Sequence, residues 1–525
     1  PVILLNGSYT GSMLEVSYTL GTNSEDITMG YYAASAGMAI AYPIIPKILD
    51  AFSSKTLIIC DLVLQFVLSW VCAASKHSDI LIVCSFVIGF LKGFLMLWFI
   101  RHAQKIFSPR NVRSEFYSYF YPLTYGGGQL SILITAQLAY HYDWKYMYYF
   151  MMTLILVAIL FVAVCFRHDR TNRTVPLREL HVREMMLISA GLLMLMYVLN
   201  YGKVLDWMSS PKICIYIVLA PMLIAFFVWY QYHAERPYVN LAPLYQPKAI
   251  VGYLYMMLVM FFSTSTTLLT NFLTTILRVD SSHTYSLYVW LLPGYLLGAF
   301  ICFWWFRWQR WRFRFLIAGG MACFAFFFGY LYFFLSPDTT YEMLYLPIFI
   351  RGLGMLTLII AFALFVVEDL NPKFLLMNAF FLITFRSVLA PIMATSFYSN
   401  TLYRLEQKYM HSLVETVTMA DPLAASRYGR SVRLWPAGTA TAMPCRWLPI
   451  RSIRPCSSRP CCSRSRRCWA CCLSWRWSLR SFRASSPSTR RCASPLPARA
   501  TIWSDLCTFR PMCGMIGKTP RFVHE

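Results

Sequence analysis

Five ionisable side chains lie inside stretches of the sequence that are otherwise apolar, and they are its clearest candidates for chemistry. They are two acids and three bases: Glu15, Asp61, Lys92, Arg351 and Arg386. A charge inside a bilayer costs a few kcal/mol and normally faces a cavity or a partner. Because Glu15 and Asp61 can bind and release protons, either is a candidate for coupling proton movement to substrate movement.

Structural interpretations of the same residues stay open at this point. Lys92 can pair with Asp61 between neighbouring helices, or Asp61 can lie near a cytoplasmic helix end and pair with a basic loop. Arg351 and Arg386 can equally take an acid or a carbonyl as partner. A polar string is a candidate pathway lining, although hydroxyls more often bond the carbonyls of their own helix. That string is Ser263, Thr264, Ser265, Thr266, Thr267, Thr270 and Asn271.

Long apolar segments must position these residues. The chain is 58% hydrophobic and 13% charged, with a mean hydropathy of +0.51, whereas soluble domains have about 25% charged residues. Runs of about 20 apolar residues recur, each long enough to cross a hydrocarbon core of about 30 Å as a helix. The composition therefore predicts an all-α, polytopic membrane protein. Aromatic residues make up 17% of the chain, and they favour either a pocket for flat or cationic ligands or, more commonly, lipid-facing bulk.

Thirteen apolar segments are predicted, with the first one shortened and the other twelve of full length. Their approximate bounds are Val2–Leu20, Ile27–Ile45, Thr56–Ser75, Ile80–Ile100, Phe116–Tyr140, Tyr146–Phe166, Met185–Tyr201, Ile213–Tyr230, Ile250–Leu277, Tyr285–Phe306, Phe315–Leu335, Leu344–Val367 and Leu376–Tyr398. The chain opens on Pro1 rather than Met, which predicts an incomplete N-terminus.

The polar stretch Phe166–Glu184, FRHDRTNRTVPLRELHVRE, separates six segments from seven and contains five arginines. The positive-inside rule places it in the cytoplasm. Alternation from that loop puts 18 basic residues in inner loops and 5 in outer loops, which supports the segmentation. The predicted organisation is a six-helix bundle over 1–166, a basic loop over 167–184, an extra helix pair over 185–231, a C-terminal bundle over 248–399 and an external loop over 400–432.

The chain changes character near Val432, where a fourteenth helix is due. Residues 433–525 contain 16 Arg and 1 Lys against 2 acids, together with 10 of the 17 cysteines. Arginine recurs there too often for an apolar span. We favour out-of-frame translation of GC-rich codons. A basic disordered tail and a zinc site at Cys468 and Cys471 are the alternatives, and the zinc site lacks a second ligand pair.

The pattern over about residues 1–430 resembles the major facilitator superfamily, and within it the 14-helix drug/proton antiporter branch. In that branch the first helix carries an acid, and MLEVSYTL places Glu15 there. The loop sequence PKILDAFSSK is similar in part to the family's conformational-switch signature and keeps Asp50 and Lys55. RGLG at Arg351 is similar as well.

Two other family motifs are present in reduced form. In the fourth helix, Lys92 between Gly89 and Gly93 is the only base near the position of the family's arginine. The fifth-helix antiporter signature is reduced to Pro122 and the glycines Gly126, Gly127 and Gly128. These departures leave the expected fold untouched and weaken the expectation of antiport.

The resemblance implies two helical halves that rock about a midplane site. It further implies proton-coupled export of amphipathic or drug-like molecules from a bacterial cytoplasm, with Glu15, alone or together with Asp61, carrying the proton. The implied partners are a small-molecule substrate, protons and lipid, without cofactor, metal or nucleic acid; a monomer is compatible with the sequence. The sequence contains no Walker loop, HExxH or GxSxG motif. Uptake of a specific metabolite, an inactive chain and a membrane enzyme or scaffold are the alternatives.

Overall fold

The computed structural model describes residues 13–108, 112–166, 181–308, 313–368, 370, 374–416 and 425–426. Within these ranges every regular element is a helix. The predicted out-of-frame tail and the Cys468 and Cys471 pair lie outside the described residues, as does most of the arginine-rich loop.

Seventeen α-helices are described, and we number them in chain order. They are α1 (Met13–Leu20), α2 (Ser24–Ala41), α3 (Ile45–Ala51), α4 (Ser54–Ala74), α5 (Ser78–Phe107), α6 (Arg113–His141), α7 (Lys145–Cys165), α8 (Val182–Tyr201), α9 (Pro211–His233), α10 (Pro247–Ser263), α11 (Thr266–Thr275), α12 (Ser281–Leu287), α13 (Leu291–Trp308), α14 (Phe313–Phe334), α15 (Tyr345–Glu368), α16 (Leu375–Ile383) and α17 (Ala390–Thr416). Pro211 and Pro247 each occupy the first turn of a helix, where the missing N–H costs nothing.

Ten helical spans of the described ranges are long and apolar enough to cross a membrane. The all-α, polytopic prediction is therefore confirmed. Two further long helices, α2 and α6, are not among the ten because small and polar residues dilute their apolar content, as SEDITMGYYAASAGMAIA and TYGGGQLS show. Both of these helices line the cavity described below.

Three of the predicted segments are interrupted rather than continuous. The segment Ile250–Leu277 divides into α10 and α11, and Tyr285–Phe306 begins with α12 and the 3₁₀ turn Tyr288–Trp290. The segment Leu376–Tyr398 contains the π-helical turn Thr384–Leu389 between α16 and α17. At the first break, the hydroxyls of Thr264 and Ser265 bind the carbonyls of Met260 and Phe262 at 2.9 and 2.6 Å. These bonds compete with the regular backbone pattern.

The last described helix is longer than the sequence predicts. Residues 400–432 are predicted to be an external loop, but α17 continues through residue 416. The stretch after Tyr398, SNTLYRLEQKYMHSLVET, is polar, but it contains no Gly or Pro and has many strong helix formers. Its polarity marks the end of the apolar surface and not the end of the helix, so the loop prediction is wrong for 400–416.

Close helix packing organises the described chain around α2, α5, α6 and α15. Helix α2 packs along α5, α4 packs against α7, and α15 contacts α10, α13 and α14. Helices α8 and α9 pack against each other, and α8 also contacts α2 and α17. Helix α6 touches α5 and α7 in one helix set, α2–α7, and α12, α13 and α15 in a second set, α10–α17, so it bridges the two sets.

Candidate functional site

A cavity of about 780 Å³ lies among these helices. Helix α2 presents one face to it at helical spacing, with Thr28, Tyr31, Ser35 and Met38. Helix α6 does the same with a face that includes Tyr121, Thr124, Tyr125, Gly128 and Gln129. The opposite wall comes from the break between α10 and α11, from α13 and α15, and from the π-helical turn with α17. The interrupted segments therefore all contribute to one cavity.

Tyrosine is the most distinctive residue of the cavity wall. The lining tyrosines are Tyr31, Tyr32, Tyr42, Tyr121, Tyr125, Tyr148, Tyr285, Tyr288, Tyr295 and Tyr398. The hydroxyl of Tyr288 lies 2.8 Å from Oγ1 of Thr270, a residue of the predicted polar string. Tyrosine combines an apolar ring with a hydroxyl that bonds polar groups, so this wall suits amphipathic molecules.

Four basic residues, Lys92, Lys203, Arg351 and Arg386, line the same cavity. Lys92 and Arg351 are 9% and 3% exposed. Among the described residues, none of the four forms an ion pair with a carboxylate. Three of the five predicted intramembrane charges, Lys92, Arg351 and Arg386, therefore line one cavity. The two predicted acids, Glu15 and Asp61, are not among its lining residues.

Arg351 on α15 forms hydrogen bonds to both sides of the break between α10 and α11. Its Nη2 donates hydrogen bonds to the carbonyl oxygen of Ser263 and to Oγ1 of Thr266. The guanidinium carbon lies 5.3 Å from the ring centre of Phe327. The nitrogens Nε and Nη1 have no hydrogen-bond partner in the described part of the chain. Sequence reasoning singled out Arg351 and the polar string separately, and the fold joins them.

Arg386 lies in the π-helical turn Thr384–Leu389, next to a tyrosine of α6. Its guanidinium carbon is 5.9 Å from the ring centre of Tyr121, and Tyr42 and Tyr125 are close enough to interact with its charge. The guanidinium Nε is 3.5 Å from Oγ of Ser387. Tyrosine hydroxyls and one serine, rather than a carboxylate, surround this cation.

Asp61 forms no ion pair with Lys92, so the structure does not adopt this one of the open interpretations. Asp61 is 6% exposed on α4, and its Oδ2 accepts a hydrogen bond of 3.1 Å from Nε2 of Gln65. Its Oδ1 has no hydrogen-bond partner among the residues that the structure covers. Ser69, one further turn along the same face, lines the cavity. Asp61 therefore stands behind the cavity wall, at the end of a buried polar row.

The sequence profile of the Major Facilitator Superfamily matches residues 2–395 of this chain. The chain belongs to the major facilitator superfamily. It is therefore an integral, multi-pass membrane transporter with a small-molecule substrate, and not an enzyme. The non-enzyme prediction and the superfamily prediction are confirmed, while the 14-helix antiporter branch stays a prediction.

Solved transporter structures are similar to this superfamily member, and the first of the three below shares its fold. A POT-family peptide transporter in complex with alafosfalin is similar with a TM-score of 0.52 and 14% identity, over 89% of this chain and 92% of that chain. A proton:xylose symporter is similar with a TM-score of 0.47 and 12% identity, over 88% of this chain and 92% of that chain. A nucleoside transporter is similar with a TM-score of 0.48 and 11% identity, over 88% and 97%. No curated protein sequence matches the chain.

Two further predicted site residues of this transporter, Glu15 and Lys55, do not line the cavity. Glu15 is on α1, partly buried, and close enough to Tyr285 to interact with it electrostatically, but it is not a lining residue. Lys55 donates a hydrogen bond of 2.7 Å to the carbonyl of Ala163, near the end of α7. Asp50 is in α3, and its side chain lies outside the described features.

The predicted glycine run is in the middle of α6. Gly126 faces α13, because a Cβ at this position would lie 3.5 Å from Cδ2 of Leu292. Gly128 lines the cavity, and Gly127 lies between them on the same helix. The run thus supplies a small patch on the helix that bridges the two sets, and its predicted role in antiport stays a prediction.

Proposed function

We propose that this superfamily member exports amphipathic small molecules in exchange for protons, by alternating access of one central site. The cavity of about 780 Å³ carries the proposal. Its volume falls within the range of about 300–1,000 Å³ that is typical of small-molecule sites. Its lining combines tyrosine rings, hydroxyls and charged groups, which fits molecules with both an apolar body and a polar group. Export rather than uptake follows from the resemblance to the antiporter branch.

Asp61 is the proposed proton-binding residue. A charged carboxylate is costly to bury without a compensating partner, whereas a protonated one is not. Gln65 supplies only one hydrogen bond, so the state of Asp61 should depend on how α4 packs against its neighbours. Gln65 and Ser69 follow Asp61 at intervals of four residues on α4, so the three share one helix face, and Ser69 lines the cavity. Protonation of Asp61 would then bias the arrangement of the helices around the cavity, with Glu15 as a second proposed site.

Transport into inverted membrane vesicles tests this proposal. Vesicles with an imposed proton gradient should accumulate at least one dye of a panel of fluorescein, rhodamine 6G and ethidium. Asp61→Asn should lower this gradient-driven accumulation by about tenfold or more, the scale of a typical coupling free energy. The matched control Asp79→Asn changes an exposed acid of α5, and it should stay within about twofold of the parent protein.

Each part of the proposal has its own contrary result. Undiminished gradient-driven accumulation by Asp61→Asn would remove Asp61 from proton coupling. Accumulation only in right-side-out vesicles would replace export by uptake. Gradient-independent equilibration of the dyes in both vesicle types would contradict secondary active transport of these molecules.

A further inference from the structure

The charge of the cavity wall is unbalanced. Four bases line it, and the only carboxylate among the described lining residues is Glu25. Glu25 lies in the first turn of α2, where Oγ of Ser24 donates to its Oε2 at 3.1 Å. Its backbone carbonyl accepts a hydrogen bond from Asn200 of α8. Glu25 is therefore engaged at one end of α2 and pairs with none of the four bases.

Unpaired buried cations are costly, and a bound anion would lower that cost. Lys92 is buried and has no hydrogen bond or ion pair within the described ranges. Arg351 is held by neutral oxygens only, and two of its nitrogens have no acceptor there. The cavity wall therefore carries positive charge that no carboxylate of the described residues neutralises. A bound anion would neutralise it.

The tyrosines around the two arginines favour the same type of ligand. Tyr288, Tyr295 and Tyr398 lie within electrostatic range of Arg351, and the ring of Tyr121 lies beneath Arg386. The hydroxyls of Tyr295 and Tyr398 already donate to Sδ of Met355 and to the carbonyl of Phe261. The tyrosines therefore offer a ligand mainly their rings, which can contact a flat apolar body. A cationic ligand would also find ring faces. However, the guanidinium groups already occupy the faces of Phe327 and Tyr121, and four bases would repel it.

We infer that the cavity selects amphipathic organic anions, with a carboxylate or sulfonate group held among Lys92, Arg351 and Arg386 and a flat apolar body against the tyrosines. This inference rests on the proposed function, because it names the substrate class of the same cavity. Of the sequence-based alternatives for the aromatic residues, it keeps the pocket for flat ligands and replaces cationic ligands by anionic ones.

Equilibrium binding to the purified full chain in lipid nanodiscs tests the inference. Fluorescein, an anion, and rhodamine 6G, a cation, share one xanthene ring system, and their fluorescence polarisation reports binding without transport. Fluorescein should bind about tenfold more tightly or better. Arg386→Gln and Lys92→Gln should each weaken fluorescein by about tenfold, the loss expected when a charged hydrogen-bond partner is removed, and should not weaken rhodamine 6G.

Arg351 needs a separate comparison because it also braces the break between α10 and α11. Arg351→Lys keeps the charge and should bind fluorescein more tightly than Arg351→Gln does. Lys76→Gln changes an exposed base and should leave both affinities unchanged. Competition by naphthalene-2-carboxylate and naphthalene-2-sulfonate distinguishes the two oxyanions, and naphthalene-2-carboxamide, the neutral control, should not compete.

Three results would overturn the inference. They are equal or tighter binding of rhodamine 6G, unchanged fluorescein affinity in both Arg386→Gln and Lys92→Gln, and a lack of binding by fluorescein and by both naphthalene acids. The proposed function fails separately. Anion binding without gradient-driven transport would contradict coupled export but support the anion site. Coupled transport of rhodamine 6G without anion binding would support coupled export but contradict the anion site.

Discussion

Tyr238 shows how one side chain outside the membrane spans ties distant elements together. It lies after α9, and its hydroxyl donates a hydrogen bond to the carbonyl of Ile40 in the last turn of α2. Burial, and to a lesser extent the charge of Glu184, raises the pKa of the Tyr238 hydroxyl above its usual range. The hydroxyl therefore stays protonated and remains a donor throughout the physiological pH range.

Replacing Tyr238 by Phe should lower the free energy of unfolding by about 1 kcal/mol, because the Ile40 carbonyl loses its partner. The raised pKa means that this stabilisation is fully present below the unfolded-state value of about 10 and is lost only above it. Thermal unfolding in detergent at about pH 6 and pH 8 should show the same difference. Tyr245→Phe, at a tyrosine that is 68% exposed, is the control. Equal losses in the two variants would contradict the role of the hydrogen bond.

The protein surrounds its buried acid and its buried bases differently. Asp61 is kept behind the wall with one amide donor, whereas Arg351 and Arg386 stand in the wall among hydroxyls and rings. An acid that changes its charge can drive a conformational equilibrium, while an arginine that never loses its charge can select a ligand. The two residue types therefore fit the coupling and recognition roles proposed above.

At the scale of elements, α2 and α5 approach each other so closely that only glycine fits at two positions. A Cβ on Gly89 would overlap the carbonyl of Ala34, and a Cβ on Gly37 would overlap the carbonyl of Phe86. These obstacles are backbone atoms, which cannot rotate away as the end of a side chain can. In a bilayer, such small residues let helix backbones come together.

Gly89→Ala should therefore destabilise the protein by about 1–3 kcal/mol, the usual cost of overpacking. The matched change Gly329→Ala places a methyl group where no atom lies within 4 Å, so it should be neutral or slightly stabilising in the helix interior. Thermal unfolding of both variants in one detergent compares them directly. Equal melting temperatures would show that α2 and α5 separate at no cost.

The three interrupted segments are also a property of elements. A break frees backbone carbonyls, which inside a membrane must be bound by protein or face an aqueous cavity. Here the freed carbonyl of Ser263 is bound by Arg351, and each break borders the cavity. Broken helices at a central site are a recurring feature of transporters, and here they bring hydroxyls and bases to the cavity.

At the scale of the whole molecule, α6 is attached to the other helix set at both ends. Near its start, Nη1 of Arg113 donates a hydrogen bond of 3.2 Å to the carbonyl of Val367 in α15. Near its end, Nε2 of Gln137 donates a hydrogen bond of 3.2 Å to Oγ of Ser286 in α12. In the proposed alternating-access mechanism, substrate enters at one end of the cavity and leaves at the other. The hydrogen bond of Arg113 and that of Gln137 must therefore break at different steps of the cycle.

A disulfide between Gln137→Cys and Ser286→Cys should therefore block transport when it is formed and restore transport when it is reduced. The two single-cysteine variants control for the native thiols and should transport under oxidising conditions. Dye accumulation in vesicles before and after reductant measures the effect, and the mobility of the oxidised chain on a gel reports the cross-link. Full transport by the cross-linked chain would show that α6 and α12 stay together throughout the cycle.

The sequence by itself determined the class of architecture. Length and apolarity are local properties of a segment, and a run of about 20 apolar residues finds no better state in a bilayer than a helix. The same local property exposed Asp61, Lys92, Arg351 and Arg386 as exceptions. The pattern of apolar segments and the acid of the first helix pointed to the superfamily that the profile match then showed.

Only the tertiary structure decided which exceptions meet. The sequence left an ion pair between Lys92 and Asp61 open as one interpretation. The fold instead places Lys92 in the cavity wall with Arg351 and Arg386, whereas Asp61 is not a lining residue and is bound by Gln65. A helix that is apolar on every side carries little information about which face turns inward. That rotation depends on close contacts between distant segments, such as the backbone approach at Gly37 and Gly89, and so does the composition of the cavity.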